Sequence, residues 1–227
     1  MCTINTDVIY LTWRKDVDKV RRVIGVLKRE SDNYTFEYLN DNVQRAIEED
    51  GFSYYQPFLK LKKYENNVLE FFKRRLLNPQ RRDYDDFLNY WGAINYKDDV
   101  FSLLGLTGAK LLTDNFEFIA PHNERPARFN TDVSWLNTSS EYVVHSIKSL
   151  TNEEVEKRIT LVREPNNEYD KKAVKVLFEN EKLGYIKSIH CDNVFDALTE
   201  NRDVQVKVAN IIKNGTIKEV LLRINID

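Results

Sequence analysis

The chain reads as an α+β protein of two domains, a mixed α/β domain followed by a β-rich one. Three observations predict this. Apolar residues recur at helical spacing mainly in the first half. Short alternating runs crowd the second half. A stretch rich in Pro, Asn, Thr and Ser lies between them. The boundaries that follow are a first domain over 1–122, a linker over 123–140 and a second domain over 141–227.

In the first domain, Val8 to Trp13 and Arg22 to Leu27 read as strands on either side of the charged stretch Lys15 to Lys19. Tyr34 to Leu39 alternates aromatic and polar residues, the pattern of a half-buried strand. Asn42 to Asp50 reads as a helix stopped by Gly51. Asn67 to Leu77 carries an apolar stripe of Val68, Leu69, Phe71, Phe72, Leu76 and Leu77, with Pro79 as its stop. Arg82 to Trp91 and Asp98 to Leu104 add two helices, and Leu111 to Phe118 returns as a strand.

The linker is placed by Pro126, Asn130, Asn137 and the run Thr138-Ser139-Ser140, which break any period. Beyond it, strands are expected over Tyr142 to Ile147, Arg158 to Arg163, Ala173 to Phe178 and Leu183 to Ile186. A helix follows near Cys191 to Glu200, then strands over Val204 to Ile212 and Glu219 to Ile226. Asn214-Gly215 between the last two is a hairpin turn, since both residues tolerate positive φ.

Composition bounds the function. At 42% hydrophobic residues the chain can bury a core, and with 31% charged residues its formal net charge is only −2. From Glu141 onward, 14 Lys and Arg stand against 15 Asp and Glu. That balance argues against sequence-blind duplex binding, which rests on a positive excess. It argues less against recognition of a nucleic-acid end, which needs a few phosphates and a stacking pocket. Cys2 and Cys191 are the only cysteines, without metal-ligand spacing, and point to a reducing compartment. With neither a signal pattern nor a membrane-length apolar run, a soluble cytoplasmic protein is expected. His122, His145 and His190 show no nucleophile or metal spacing, and no carboxylate cluster resembles a nuclease site. The expectation is a protein without catalytic activity, metal or cofactor.

The richest stretch is Leu161 to Val176, with Arg163-Glu164-Pro165, Asn167, Tyr169-Asp170 and Ala173-Val174-Lys175-Val176, followed by Leu183-Gly184-Tyr185-Ile186. Pro165 lacks a backbone donor, Asn166, Asn167 and Asp170 suit turn capping, and Gly184 marks a point where a backbone or ligand comes close. This pattern resembles the HIRAN domain. The resemblance implies a small OB-like barrel that holds the free 3′ end of single-stranded DNA. It implies that Asp170 accepts a hydrogen bond from the terminal 3′-hydroxyl, that Asn167 binds the last nucleotide and that Tyr185 stacks on a base. Lys187 would reach a phosphate, and Arg163 opens the motif. Asp170 is equally suited to capping the turn before Lys171. The family's Arg-Tyr-Tyr run at the end of its first strand is replaced by Val144-His145-Ser146-Ile147-Lys148, where His145 is the one ring able to stack.

The first half resembles the N-terminal subdomain of HipA-type kinases. The residues are Val23-Ile24-Gly25-Val26-Leu27, Phe71-Phe72 with Leu76-Leu77, and Asp99-Val100-Phe101-Ser102-Leu103-Leu104. No phosphate loop or catalytic Asp follows, so this resemblance implies an accessory domain alone. Two functions stay open, with a subunit of a nuclease or helicase complex as a less favoured third. One is a non-catalytic adaptor for single-stranded or 3′-ended DNA in DNA repair, phage defence or a toxin–antitoxin setting. The other is a protein-interaction module, an antitoxin-like regulator of a HipA-type kinase or another partner. The basic runs Lys60-Leu61-Lys62-Lys63 and Lys73-Arg74-Arg75 could extend a nucleic-acid path or be solvated helix faces.

Overall fold

Alternating apolar residues build the first sheet, and aromatic rings fill the layer beneath it. The computed structural model describes residues 6–16, 19, 21–31, 33–122 and 127–227, so Cys2, positions 17 and 18 of the charged stretch, and positions 123–126 lie outside the described residues. The chain divides into two compact units, one ending at Pro121 and one beginning at His122.

The first unit contains β1 (Val8–Trp13), β2 (Arg22–Glu30), β3 (Asn33–Tyr38), β4 (Lys63–Tyr64) and β5 (Phe116–Ile119), in the order β4-β3-β2-β1-β5 with every pair antiparallel. Helices α1 (Asn40–Asp50), α2 (Val68–Lys73), α3 (Tyr84–Trp91) and α4 (Val100–Thr107) complete it. Gly51 ends α1 at φ 72°, and the Asp99 carboxylate caps α4 by accepting from Ser102 N. Phe36, Phe72 and Phe118 are fully buried and meet edge to face, with centroids 5.2 and 4.8 Å apart along that chain of rings. The helix expected over 67–77 stops at Lys73 and continues as tighter turns, with Arg75 N donating to Phe72 O and Leu76 N to Lys73 O. The expected strand over 111–118 narrows to Phe116–Ile119.

Arg75 corrects the reading of its basic run as a surface path. Its side chain is 1% exposed and is held by both Asp114 oxygens at 2.6 and 2.8 Å, by Ala109 O and by Phe116 O. It is a structural cation that ties the turn after α2 to the strand entering β5.

The second unit contains β6 (Ala127–Asp132), α5 (Glu141–Ser149), α6 (Asn152–Glu156), β7 (Ile159–Arg163), β8 (Val174–Phe178), β9 (Glu181–Tyr185), α7 (Ser188–Thr199), β10 (Val204–Asn214) and β11 (Thr216–Ile226). Its strands form two three-stranded antiparallel sheets, β10-β11-β6 and β7-β8-β9. The expected OB-like barrel is therefore not closed among the described residues. One bridge, Ser134 to Tyr185, runs from the segment after β6 to the last strand of the other sheet. Val176, Phe178, Leu183, Leu222, Ile224 and Phe129 lie in a shared core.

Two expectations change here. The linker carries β6, whose Ala127, Phe129 and Thr131 are buried while Arg128, Asn130 and Asp132 are not. This is a period of two, hidden by the turn-forming residues around it. Tyr142 to Ile147 is not a strand but lies in α5, capped by Ser140 and burying Val143 and Ile147 four residues apart. The Asn214-Gly215 hairpin forms as expected, with Gly215 at φ 69° and Asn214 opposite Thr216.

Two substitutions test this packing. A Cβ at Gly184 would sit 2.4 Å from Val133 Cγ1 and 2.5 Å from Ser134 O. Gly184→Ala is expected to cost about 1–3 kcal/mol, read as a lower urea midpoint. Asp114→Ala, which strands the buried Arg75 guanidinium, is expected to cost about 3–5 kcal/mol in the same measurement.

Candidate nucleic-acid interface

The turn between β7 and β8 is built by short polar side chains that replace missing ladder bonds. Asn167 Oδ1 accepts from Tyr169 N at 2.9 Å and from Asp170 N at 3.1 Å. Asp170 Oδ1 accepts from Lys172 N at 2.9 Å, and Ala173 N donates to Asp170 O. Asp170 thus does cap its turn, through one carboxylate oxygen. Lys172 fastens the turn to α7, with Nζ 3.2 Å from Asp196 and 3.6 Å from Asp192.

Glu164 is the hub. Its Oε2 accepts from Asn167 Nδ2 at 2.8 Å and from the Tyr185 hydroxyl at 2.9 Å, and its Oε1 lies 2.6 Å from Lys175 Nζ. Lys175, then Asn167 and Tyr185, hold this carboxyl down to about 2 from its ordinary 4.5. Burial, then the Glu164 contact, raises the Tyr185 hydroxyl above its ordinary value, so it stays a donor at neutral pH. Register explains the convergence: Lys175 lies opposite both Val162 and Tyr185, so these three share the outward face of the sheet. Lys182 Nζ sits 5.4 Å from the Tyr185 ring centroid on that face.

The segment 133–135 brings one more ring. Ser134 N donates to Tyr185 O and Tyr185 N to Ser134 O, each at 2.8 Å. Trp135 follows at φ 54°, an uncommon backbone state for a bulky residue, and 48% of it is exposed. Tyr169, between Asn167 and Asp170, is 88% exposed. An aromatic held open to solvent in a strained backbone, and another on a capped turn, suit stacking more than packing.

The candidates from sequence divide accordingly. Asn167 and Tyr185 meet at Glu164, and Asp170 joins them through its backbone N–H, which donates to Asn167 Oδ1. Arg163 does not join them: it pairs with Val174 in the ladder, donates to Thr199 Oγ1 and lies 5.7 Å from the Phe195 ring, both on α7. Lys187 is 7% exposed and ion-paired to Asp132, so it fastens the end of β6 rather than reaching outward. His145 lies on α5, and the segment beside Tyr185 is Val133 to Trp135 instead. Sequence reasoning missed Glu164, Lys175 and Trp135. The alternation that places Lys175 with Tyr185 was readable, whereas Trp135 fell inside the presumed linker.

Other chemistry-bearing groups are buried. Burial pushes the Cys191 thiol up to about 12, and its Sγ donates to Ile186 O. Burial, aided by His190, pushes His122 down to about 3 beneath a parallel stack with Phe129. Among the described residues no group of three His, Cys, Asp or Glu is placed to hold a metal ion, and no helix is long and apolar enough to cross a membrane.

Part of the second unit's sequence is similar to a known family. Residues 137–225 match the family model of the HIRAN domain, and the site turn, the β7-β8-β9 sheet and α7 all lie inside the match. Trp135 stands two residues before it. No curated protein and no solved structure matches the chain, and the comparisons give no support to the resemblance of the first half to HipA-type kinases.

The hub carries a pH signature. Because the Glu164 carboxyl is depressed in the folded state, the stability it contributes is fully present above pH 4.5 and is lost as pH falls toward 2. Glu164→Gln is therefore expected to unfold at lower urea than the wild type near pH 7, with the gap shrinking steadily below pH 4.5.

Proposed function

We propose that the second unit is a non-catalytic DNA-binding module that takes the 3′ end of a single strand on the surface formed by Asn167, Tyr169, Asp170, Tyr185 and Trp135. The observation that supports this most is the HIRAN match over residues 137–225, since HIRAN domains bind single-stranded or 3′-ended DNA and the motif residues Asn167, Asp170 and Tyr185 converge.

The chemistry follows from what each group has left to offer. Asp170 gives Oδ1 to Lys172 N and keeps Oδ2 for a ligand donor. A carboxylate only accepts at neutral pH, so it suits a terminal hydroxyl and repels a phosphate. Tyr185, its hydroxyl pinned to Glu164, presents a fixed ring, and stacking of a base on such a ring is worth about 1–3 kcal/mol. Trp135 supplies a second ring from the neighbouring segment, and Lys182 a cation beside the first.

Fluorescent single strands ending in a 3′-hydroxyl, a 3′-phosphate or no end (a circle) test this reading. The hydroxyl form is expected to bind tightest, by about 1.5–3 kcal/mol, the worth of a charge-assisted hydrogen bond. Asp170→Asn keeps an acceptor for Lys172 N but removes the charge, and is expected to abolish most of the preference. Equal affinity for all three strands would overturn end recognition.

A further inference from the structure

The second unit is nearly neutral as a whole, yet the outward face of its β10-β11-β6 sheet is not. Lys207 of β10 stands opposite Arg223 of β11, which stands opposite Asn130 of β6. Two residues along, in the next row of that face, Gln205 stands opposite Asn225, which stands opposite Arg128. The intervening residues Val206, Ile224 and Phe129 face the core, so alternation sends these six side chains outward. Arg128, Lys207 and Gln205 are exposed, and Arg223, Asn225 and Asn130 are half-buried.

Two rows thus carry three cations and three amides without a carboxylate. Carboxylates occur only at the ends of the face. Asp203 and Asp227 close one end, where Asp203 accepts from Gln205 Nε2, while Asp132, already paired with Lys187, and Glu219 of β11 lie toward the other. Arg128, Lys207 and Arg223 make no ion pair among the described residues. Arg223 is anchored from the side, its Nε donating to Asn130 Oδ1 at 3.2 Å.

Like charges placed directly opposite across two strands lower the stability of a sheet. A Lys–Arg pair there, with a third cation in the adjacent row, is an arrangement that folding alone disfavours and that an anionic partner relieves. The face also runs toward the candidate site, since β6 ends at Asp132 and the chain reaches Trp135 three residues later. We infer that Arg128, Lys207 and Arg223 form a second contact surface, which tracks the phosphate backbone of the nucleic-acid strand whose end occupies the Asp170–Tyr185 site. This rests on the proposed function: that site reads the end, and this face carries the charge contacts with the strand that leads away from it.

The test compares the wild type with the triple variant Arg128→Gln, Lys207→Gln, Arg223→Gln in the full chain, with circular dichroism and the urea midpoint confirming that it folds. Both are titrated with a 3′-hydroxyl tetranucleotide and with a 3′-hydroxyl strand of about thirty nucleotides, over a range of salt. The lengths bracket the span of one such module, about 4–16 nucleotides. The wild type is expected to bind the long strand more tightly than the short one. The variant is expected to lose at least about tenfold for the long strand, to bind the tetranucleotide as before and to keep its preference for a 3′-hydroxyl over a 3′-phosphate. Its log–log salt slope should fall by about 2, since each single-strand phosphate contact contributes about 0.7.

An unchanged slope and an unchanged long-strand affinity would overturn this inference while leaving the end-reading site intact. Charge-dependent binding of the long strand without any 3′-end preference would overturn the end-reading site while supporting this face. A wild type that binds neither strand would overturn both.

Discussion

The close pairing of the segment 133–135 with Tyr185 is the constraint on which the second unit depends. It is possible because residue 184 has no side chain: any Cβ there would strike Val133 and the Ser134 carbonyl. The missing carbon lets two reciprocal backbone bonds form, and those bonds join the segment after β6 to the last strand of the other sheet. They also bring the backbone of Trp135 against Gly184, one residue before Tyr185. A packing requirement and the composition of the candidate site are thus the same feature, which is why Gly184 reads as structural without being distant from function.

Glu164 adds a second level of organisation. Strand β7 ends at Arg163, and the next residue turns its carboxylate to three donors from the turn and two strands. Asn167 spends its amide on Glu164 and its carbonyl oxygen on two backbone donors, so the turn is fixed from both ends. Held this way, Asp170 and Tyr185 are positioned before any ligand arrives, and preorganised groups lose less freedom on binding.

Much of the first unit was legible in the sequence, because its strands alternate and its helices have clear stops. Val8–Trp13 emerges with the expected bounds, and Gly51 ends its helix in a left-handed conformation. In the second unit the elements after Arg158 follow the expected order. The two missed elements have different causes. β6 is defined by β11, about ninety residues later, and its flanking Pro and Asn residues mask an alternating pattern. α5 was taken for a strand because Tyr142-Val143-Val144 favours β structure, whereas Ser140 caps a helix that buries Val143 and Ile147. Lys187 and Arg163 lie apart from the Glu164 cluster for a further reason: a cation in a motif shows its charge in sequence, but not whether Asp132 or α7 already holds it.

The central claim is that Trp135, Tyr185 and the capped turn form one surface for a strand end. It is tested most directly by NMR on the full chain, following the Trp135 indole and the backbone amides of Asp170, Lys172 and Tyr185 as a short 3′-hydroxyl oligonucleotide is added. The account predicts that these four signals shift together along one saturating curve, while the indoles of Trp13 and Trp91 stay in place. Saturable binding that leaves all four unmoved would contradict it.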